Sequence, residues 1–80
     1  MQCFIYKSLK RDYLYLYTVK KDDFSKVPDT LANSMGKMEF VMSLELTPDL
    51  KLAREDAGCV IESLKKQGFF VQLPPQKEIL

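Results

Sequence analysis

Residues 12–19 read DYLYLYTV, and this segment decides the fold because it is apolar on both faces over the length of a β-strand. Side chains alternate between the two faces of a strand. One face would therefore carry Tyr13, Tyr15, Tyr17 and Val19, and the other would carry Leu14, Leu16 and Thr18. A strand that is exposed on one face alternates apolar with polar residues. The segment is therefore predicted to be covered on both faces and to lie near the centre of a sheet.

An earlier apolar segment, QCFIYK at residues 2–7, supplies a partner for this strand. The two segments are separated by SLKRD at residues 8–12, a loop length that is typical of a β-hairpin. The loop has no Gly or Asn, so its turn type is not specified. We predict that the chain begins with two antiparallel strands.

A short helix and a third strand are predicted next, after the charged turn KKDD at residues 20–23. Pro28 suits the first turn of a helix and Gly36 suits a C-terminal cap, which predicts a helix over about residues 28–35. Residues 38–46 then alternate, with Phe40, Met42, Leu44 and Leu46 on one face and Val41, Ser43 and Glu45 on the wetter face. This third strand would lie nearer the edge of the sheet.

A helical period and a final strand complete the pattern. One apolar stripe runs along residues 50–64 and ends near Lys65, Lys66 and Gly68, as is common at the end of a helix. The regular part of this helix is predicted over about residues 55–67. Residues 69–73, FFVQL, form the last predicted strand, which Pro74 and Pro75 terminate.

The element order β-β-α-β-α-β predicts an α+β fold in a single compact domain, with one mostly antiparallel or mixed four-stranded sheet and two helices. The domain would span residues 1–75, and residues 76–80 would form a short flexible C-terminal tail. If the second strand is covered on both faces, either the helices lie on opposite sides of the sheet or a partner chain closes one face.

The composition makes several activities improbable. The 80 residues include 12 Lys and Arg, 11 Asp and Glu and no His, so global charge gives no argument for nucleic acid binding. Without His the chain lacks the commonest general base and zinc ligand, and we expect no enzyme, metal, cofactor or small-molecule substrate. No apolar run approaches the ~18 residues of a spanning helix and no signal-peptide pattern is present, so we expect no membrane partner and a cytoplasmic location.

Two cysteines and two carboxylate pairs remain as chemically active groups. Cys3 is expected in the core, whereas Cys59 lies opposite the apolar stripe and is expected to be an accessible thiol that no His activates. The pairs Asp22–Asp23 and Glu55–Asp56 are weak evidence for a metal because sequence neighbours point apart. We expect them to cap a turn and a helix start instead.

Several motifs together resemble one protein family. The chain contains CxIYKS, DYLYLY, KKDDFSKVP, a Gly-Lys pair before a hydrophobic strand, LxLAREDA and QGFFVQLPP, in that order. This series is similar to the YcgL domain family of small uncharacterised bacterial proteins, over essentially the whole chain. The resemblance implies a compact α/β domain with a sheet and helices. It supplies no catalytic or binding residues.

Two surfaces are candidates for binding. The first combines a basic loop with a row of tyrosines: Lys7, Lys10, Arg11, Tyr13, Tyr15 and Tyr17. Stacking on an aromatic ring is worth ~1–3 kcal/mol per base, which would suit RNA, but a tyrosine row is as readily covered by a helix or a second subunit. The second comprises Gln72, Pro74 and Pro75, whose extended prolines suit a partner's aromatic groove or simply terminate a strand.

We therefore expect a small non-enzymatic protein-interaction domain. It would bind a protein partner, or a second copy of itself, through an exposed part of the sheet or through the proline-ended strand. The alternative is an RNA-binding module that uses the tyrosine face and the adjacent basic loop.

Overall fold

The two apolar faces of the DYLYLYTV segment place it inside a four-stranded antiparallel sheet. The computed structural model describes residues 1–51 and 56–72. In chain order its elements are β1 (Gln2–Ser8), β2 (Tyr15–Thr18), α1 (Asp29–Met35), β3 (Met38–Glu45), α2 (Ala57–Gln67) and β4 (Phe69–Gln72). The strand order β3-β1-β2-β4 confirms the predicted element order, the internal position of β2 and the edge position of β3.

The two helices cover opposite faces of the sheet, because adjacent β2 residues point into different hydrophobic clusters. Leu16 is buried on the face that α1 covers, hereafter the α1 face, together with Met35. Tyr17 is buried on the opposite α2 face, together with Val60 and Leu64. The alternation inferred for residues 13–19 therefore holds from Leu14 onward but not at Tyr13, and the two helices cover both faces of β2.

The second strand is shorter than predicted at its N-terminal end. Tyr13 has a left-handed backbone with φ 63°, so it lies in the loop and its side chain is 63% exposed. The Ser8 N–H donates to the Leu14 carbonyl at 2.9 Å, which closes the loop before β2 begins. The Ser8 hydroxyl also accepts from the N–H groups of Lys10 and Arg11 and donates to the Met35 carbonyl. One buried serine thus ties the hairpin loop to the end of α1.

The apolar face predicted for β3 is wrong at Phe40. Ile5 pairs with Met42 and the next β1 residue, Tyr6, pairs with Phe40, so Val41 is an extra residue without a β1 partner. Such a bulge shifts the alternation by one residue. Met42 therefore lies opposite Ile5 on the α2 face, and Phe40 lies opposite Tyr6 on the α1 face.

The second helix begins and ends close to the predicted positions. The Asp56 side chain caps its start by accepting from the Gly58 N–H at 2.8 Å. Gly68 ends it with φ 85°, a conformation that favours glycine, and its N–H donates to the Leu64 carbonyl. Glu55 lies outside the described residues. Neither helix in the described part of the chain has the length and apolarity needed to cross a membrane.

Tyr6 fastens the loop between β2 and α1 onto the sheet. Its buried hydroxyl accepts from the Asp22 N–H at 2.6 Å and donates to Asp22 Oδ1 at 3.3 Å, while Asp22 has φ 59°. The Tyr6 ring also contacts Phe24 edge-on, with centroids 4.9 Å apart. A single side chain therefore holds a turn whose backbone is strained for a non-glycine residue.

We expect Tyr6→Phe to lower the free energy of unfolding by about 0.5–1.5 kcal/mol, because the Asp22 N–H loses its acceptor. Urea unfolding followed by circular dichroism measures the change. Tyr13→Phe removes a hydroxyl from an exposed ring and should change stability much less. Equal losses in the two variants would contradict the role assigned to Tyr6.

Candidate interaction surfaces

The row of tyrosines is split between the core and the surface. Tyr17 is 5% exposed, and its hydroxyl donates to Gln72 Oε1 at 2.7 Å. Its ring packs edge-on against Phe70, with centroids 5.6 Å apart. Tyr17 and Gln72 are therefore buried residues, joined by a hydrogen bond between β2 and β4. The three tyrosines do not form one open platform.

The remaining part of the predicted basic and aromatic surface forms a cleft at the hairpin end of the sheet. Lys7, Tyr13 and Tyr15 line a cleft of about 390 Å³, together with Asp12. Lys7 pairs with Tyr15 across the strands, and its ammonium lies 3.6 Å from Glu39. The structure therefore brings together half of the residues proposed for this surface.

Lys10 and Arg11 are exposed but do not line that cleft. The aliphatic stem of Lys10 packs beside Gly36 at the end of α1, where an added Cβ would lie 3.2 Å from it. Arg11 is placed by its N–H bond to the Ser8 hydroxyl. Pro74 and Pro75, proposed as the terminal interaction segment, lie outside the described residues.

The edge strand β3 carries three consecutive exposed apolar side chains. Phe40, Val41 and Met42 are consecutive and are 40%, 44% and 45% exposed. The strand order leaves β3 with β1 on one side and no described strand on the other. The Lys21 ammonium lies 4.7 Å from the centre of the Phe40 ring, which is a cation–π distance. Alternation predicted apolar residues here but could not show the bulge at Val41.

A second basic groove was not predicted from the sequence. It brings Lys20 and Lys26, from the loop after β2, next to Lys65 and Lys66 at the end of α2. About 40 residues of sequence separate the two pairs. Each pair alone resembles an ordinary charged turn or helix end, so no local signal could have identified the groove.

The carboxylates near this loop have local structural partners. Asp23 Oδ1 accepts from the Ser25 hydroxyl at 2.7 Å and from the Ser25 N–H at 3.0 Å. These two hydrogen bonds, followed by weaker attraction to Lys20 and Lys26, hold the pKa of Asp23 below its ordinary value. Asp22 and Asp56 hold a turn and a helix start. Within residues 1–51 and 56–72 no three His, Cys, Asp or Glu side chains are grouped to hold a metal ion.

The two cysteines occupy opposite environments, as predicted. Cys3 is fully buried on the α2 face, and burial raises the pKa of its thiol to about 11. Cys59 is an exposed free thiol on α2. Because the thiolate is the nucleophilic form, burial both shields Cys3 and keeps it protonated at neutral pH.

Comparisons with known proteins agree on one family. The family model of the YcgL domain matches residues 3–75. A YcgL domain-containing protein of Serratia proteamaculans is 50% identical over 80 residues, covering 100% of this chain and 89% of the relative. One from Thioalkalivibrio sulfidiphilus is 44% identical over 78 residues, covering 98% and 96%. In Nitrosococcus oceani, a protein named "Putative HAD-like hydrolase" is 48% identical over 71 residues, covering 89% of this chain and 19% of that protein.

At pH 8 we expect a thiol reagent such as dithionitrobenzoate to modify one cysteine per native chain, at Cys59, and two after denaturation. Absorbance of the released thiolate counts the reacted groups. Cys59→Ser should abolish the native reaction, whereas Cys3→Ser should leave it in place. Rapid modification of two cysteines in the native protein would contradict the burial of Cys3.

Proposed function

This chain belongs to the YcgL domain family, and we propose that it is a non-enzymatic protein-interaction domain that binds an extended segment of another protein along the outer edge of β3. The observation that carries the proposal is the exposed run Phe40, Val41 and Met42 on an edge strand. An edge strand offers backbone donors and acceptors to an incoming strand, and its side chains add specificity.

The charged side chains along this edge indicate the charge of the partner. Glu39 and Glu45 lie at either side of the apolar run, with side chains 58% and 68% exposed. Each already has one cation nearby, Lys7 for Glu39 and the N-terminal ammonium for Glu45. A carboxylate has about four lone-pair sites and can accept further donors. The complementary partner is an extended segment with an apolar centre and Lys or Arg at its two ends.

The bulge favours a short segment of a different chain over a second copy. Pairing two β3 strands along their full length would require both edges to be regular. The unpaired Val41 bends this strand, and bulges of this kind oppose extended edge-to-edge pairing. A short foreign segment can adapt to the bend, because it does not carry the same irregularity.

Two further observations support an accessory, non-enzymatic role. The sequence has no His, and three described carboxylates have structural partners: Asp22 accepts from the Tyr6 hydroxyl, Asp23 from the Ser25 N–H and Asp56 from the Gly58 N–H. The Nitrosococcus oceani relative carries a similar domain as about a fifth of a longer protein whose name describes a hydrolase. We take the presence of a similar sequence as a minor part of a longer protein to support a binding role.

RNA binding is the second candidate, supported by the cleft that Lys7, Tyr13 and Tyr15 line. Tyr13 is exposed enough for a base to stack on its ring, and Lys7 could contact a phosphate. The burial of Tyr17 leaves only two of the three tyrosines for this role. Affinity purification with and without ribonuclease, described next, distinguishes RNA binding from protein binding.

We expect affinity purification of the tagged chain from its own host to recover protein partners that survive ribonuclease treatment and are lost with Val41→Lys. An added charge at the centre of the apolar edge should weaken binding at least about tenfold, or ~1.4 kcal/mol. Mass spectrometry of the eluates measures the recovery.

Tyr13→Lys is the matched control, because it adds the same charge to an exposed side chain outside β3. It should retain the partners. Loss of the partners with ribonuclease, but not with Val41→Lys, would favour RNA binding and contradict the β3 proposal. Concentration-dependent dimers that Val41→Lys disrupts would assign the edge to a second copy.

A further inference from the structure

Four lysines converge on one groove at the end of the molecule where α2 stops. Lys20 and Lys26 reach it from the loop after β2, and Lys65 and Lys66 from the last turn of α2. The groove, hereafter the lysine groove, has a volume of about 300 Å³. This is near the lower limit for small-molecule sites, which run from about 300 to 1,000 Å³.

The lysines that line the groove outnumber the described carboxylates that line it, four to one. Neither ion pair found within residues 1–51 and 56–72 involves them, since one joins Met1 to Glu45 and the other Lys7 to Glu39. The carboxylate that lines the groove, Asp23, keeps its charge while it accepts two hydrogen bonds from Ser25, and it attracts Lys20 and Lys26. The groove therefore has a surplus of positive charge.

Helix polarity explains only half of this cluster. Cations in the last turn of a helix offset the negative end of its dipole, which accounts for Lys65 and Lys66. Lys26 comes from another segment, and its stem lies so close to Gly68 that an added Cβ there would be 2.8 Å from it. Gly68 thus both ends α2 and admits Lys26 to the groove.

The groove walls strengthen any electrostatic contact made inside it. Val19 and Leu64 line it alongside the lysines, and Leu64 is 2% exposed. Apolar walls lower the local dielectric, so an ammonium and an anion attract more strongly there than on an open surface. Several lysines facing one small space suit a ligand that carries several negative charges on few atoms.

We propose that the lysine groove binds the phosphate chain of an oligophosphate, either as a free chain or as the triphosphate of a nucleotide. Lysine binds phosphate as a compact point charge, and four of them match a chain of linked phosphates better than a single carboxylate. The site is distinct from the β3 edge and does not depend on a partner there.

The test is a titration of the whole chain with sodium tripolyphosphate at low ionic strength, followed by amide NMR and calorimetry. Saturable shifts should centre on Lys26 and Gly68. Lys20→Gln and Lys65→Gln should each weaken binding by about twofold to fivefold, the range for one exposed charge contact. Glu62→Gln, which removes a carboxylate from the cleft that adjoins Lys65 and Lys66, should strengthen it.

Lys37→Gln is the control, because it removes one positive charge from an exposed site at the start of β3 and should leave the affinity unchanged. ATP that binds as tightly as tripolyphosphate assigns the site to the phosphate chain alone, whereas tighter ATP binding assigns it to a nucleotide. No saturable binding at millimolar tripolyphosphate would overturn the proposal. So would equal weakening by Lys37→Gln, since the effect would then reflect net charge only.

Discussion

Leu16 and Tyr17 are neighbours on β2 and point into opposite hydrophobic clusters, and this two-sided burial is the constraint on which the structure depends. Burying an apolar side chain of this size contributes about 1.5–3 kcal/mol, so neither face of β2 can remain open to water. The two described helices, α1 and α2, each cover one face of the sheet around β2. β3 is separated from β2 by β1, so the helices cover β3 least.

The loop after β2 supplies cover that the short helix α1 cannot. With seven residues, α1 buries little surface, and Phe24 and Val27 from the loop complete the cluster on the α1 face. The contact between the Tyr6 hydroxyl and Asp22 holds this loop down. The same placement carries Lys20 and Lys26 to the end of α2, so one loop serves both the core and the lysine groove.

Apolar periodicity, together with Pro28 and Gly36 at the ends of α1, predicted the element order, the helix positions and the internal strand, because each depends on residues close together in sequence. It failed where a single residue changed the geometry. The left-handed backbone of Tyr13 moves its ring into a loop, and the extra residue Val41 in β3 divides a predicted apolar face. Neither the left-handed position at Tyr13 nor the bulge at Val41 is occupied by the Gly or Asn that would have indicated it in the sequence. The lysine groove depends on residues that only the tertiary fold brings together, so composition and spacing could not indicate it.

The helices pack around β2 and leave the outer edge of β3 open. Residue-resolved amide hydrogen exchange tests this most directly. In the isolated monomer, amides of β1 and β2 should exchange slowly, whereas those around Val41 on β3 should exchange much faster, because local opening there exposes little buried surface. Protection of β3 as strong as that of β2, in a protein shown to be monomeric by sedimentation, would contradict the account. It would show that this edge is already closed within the chain.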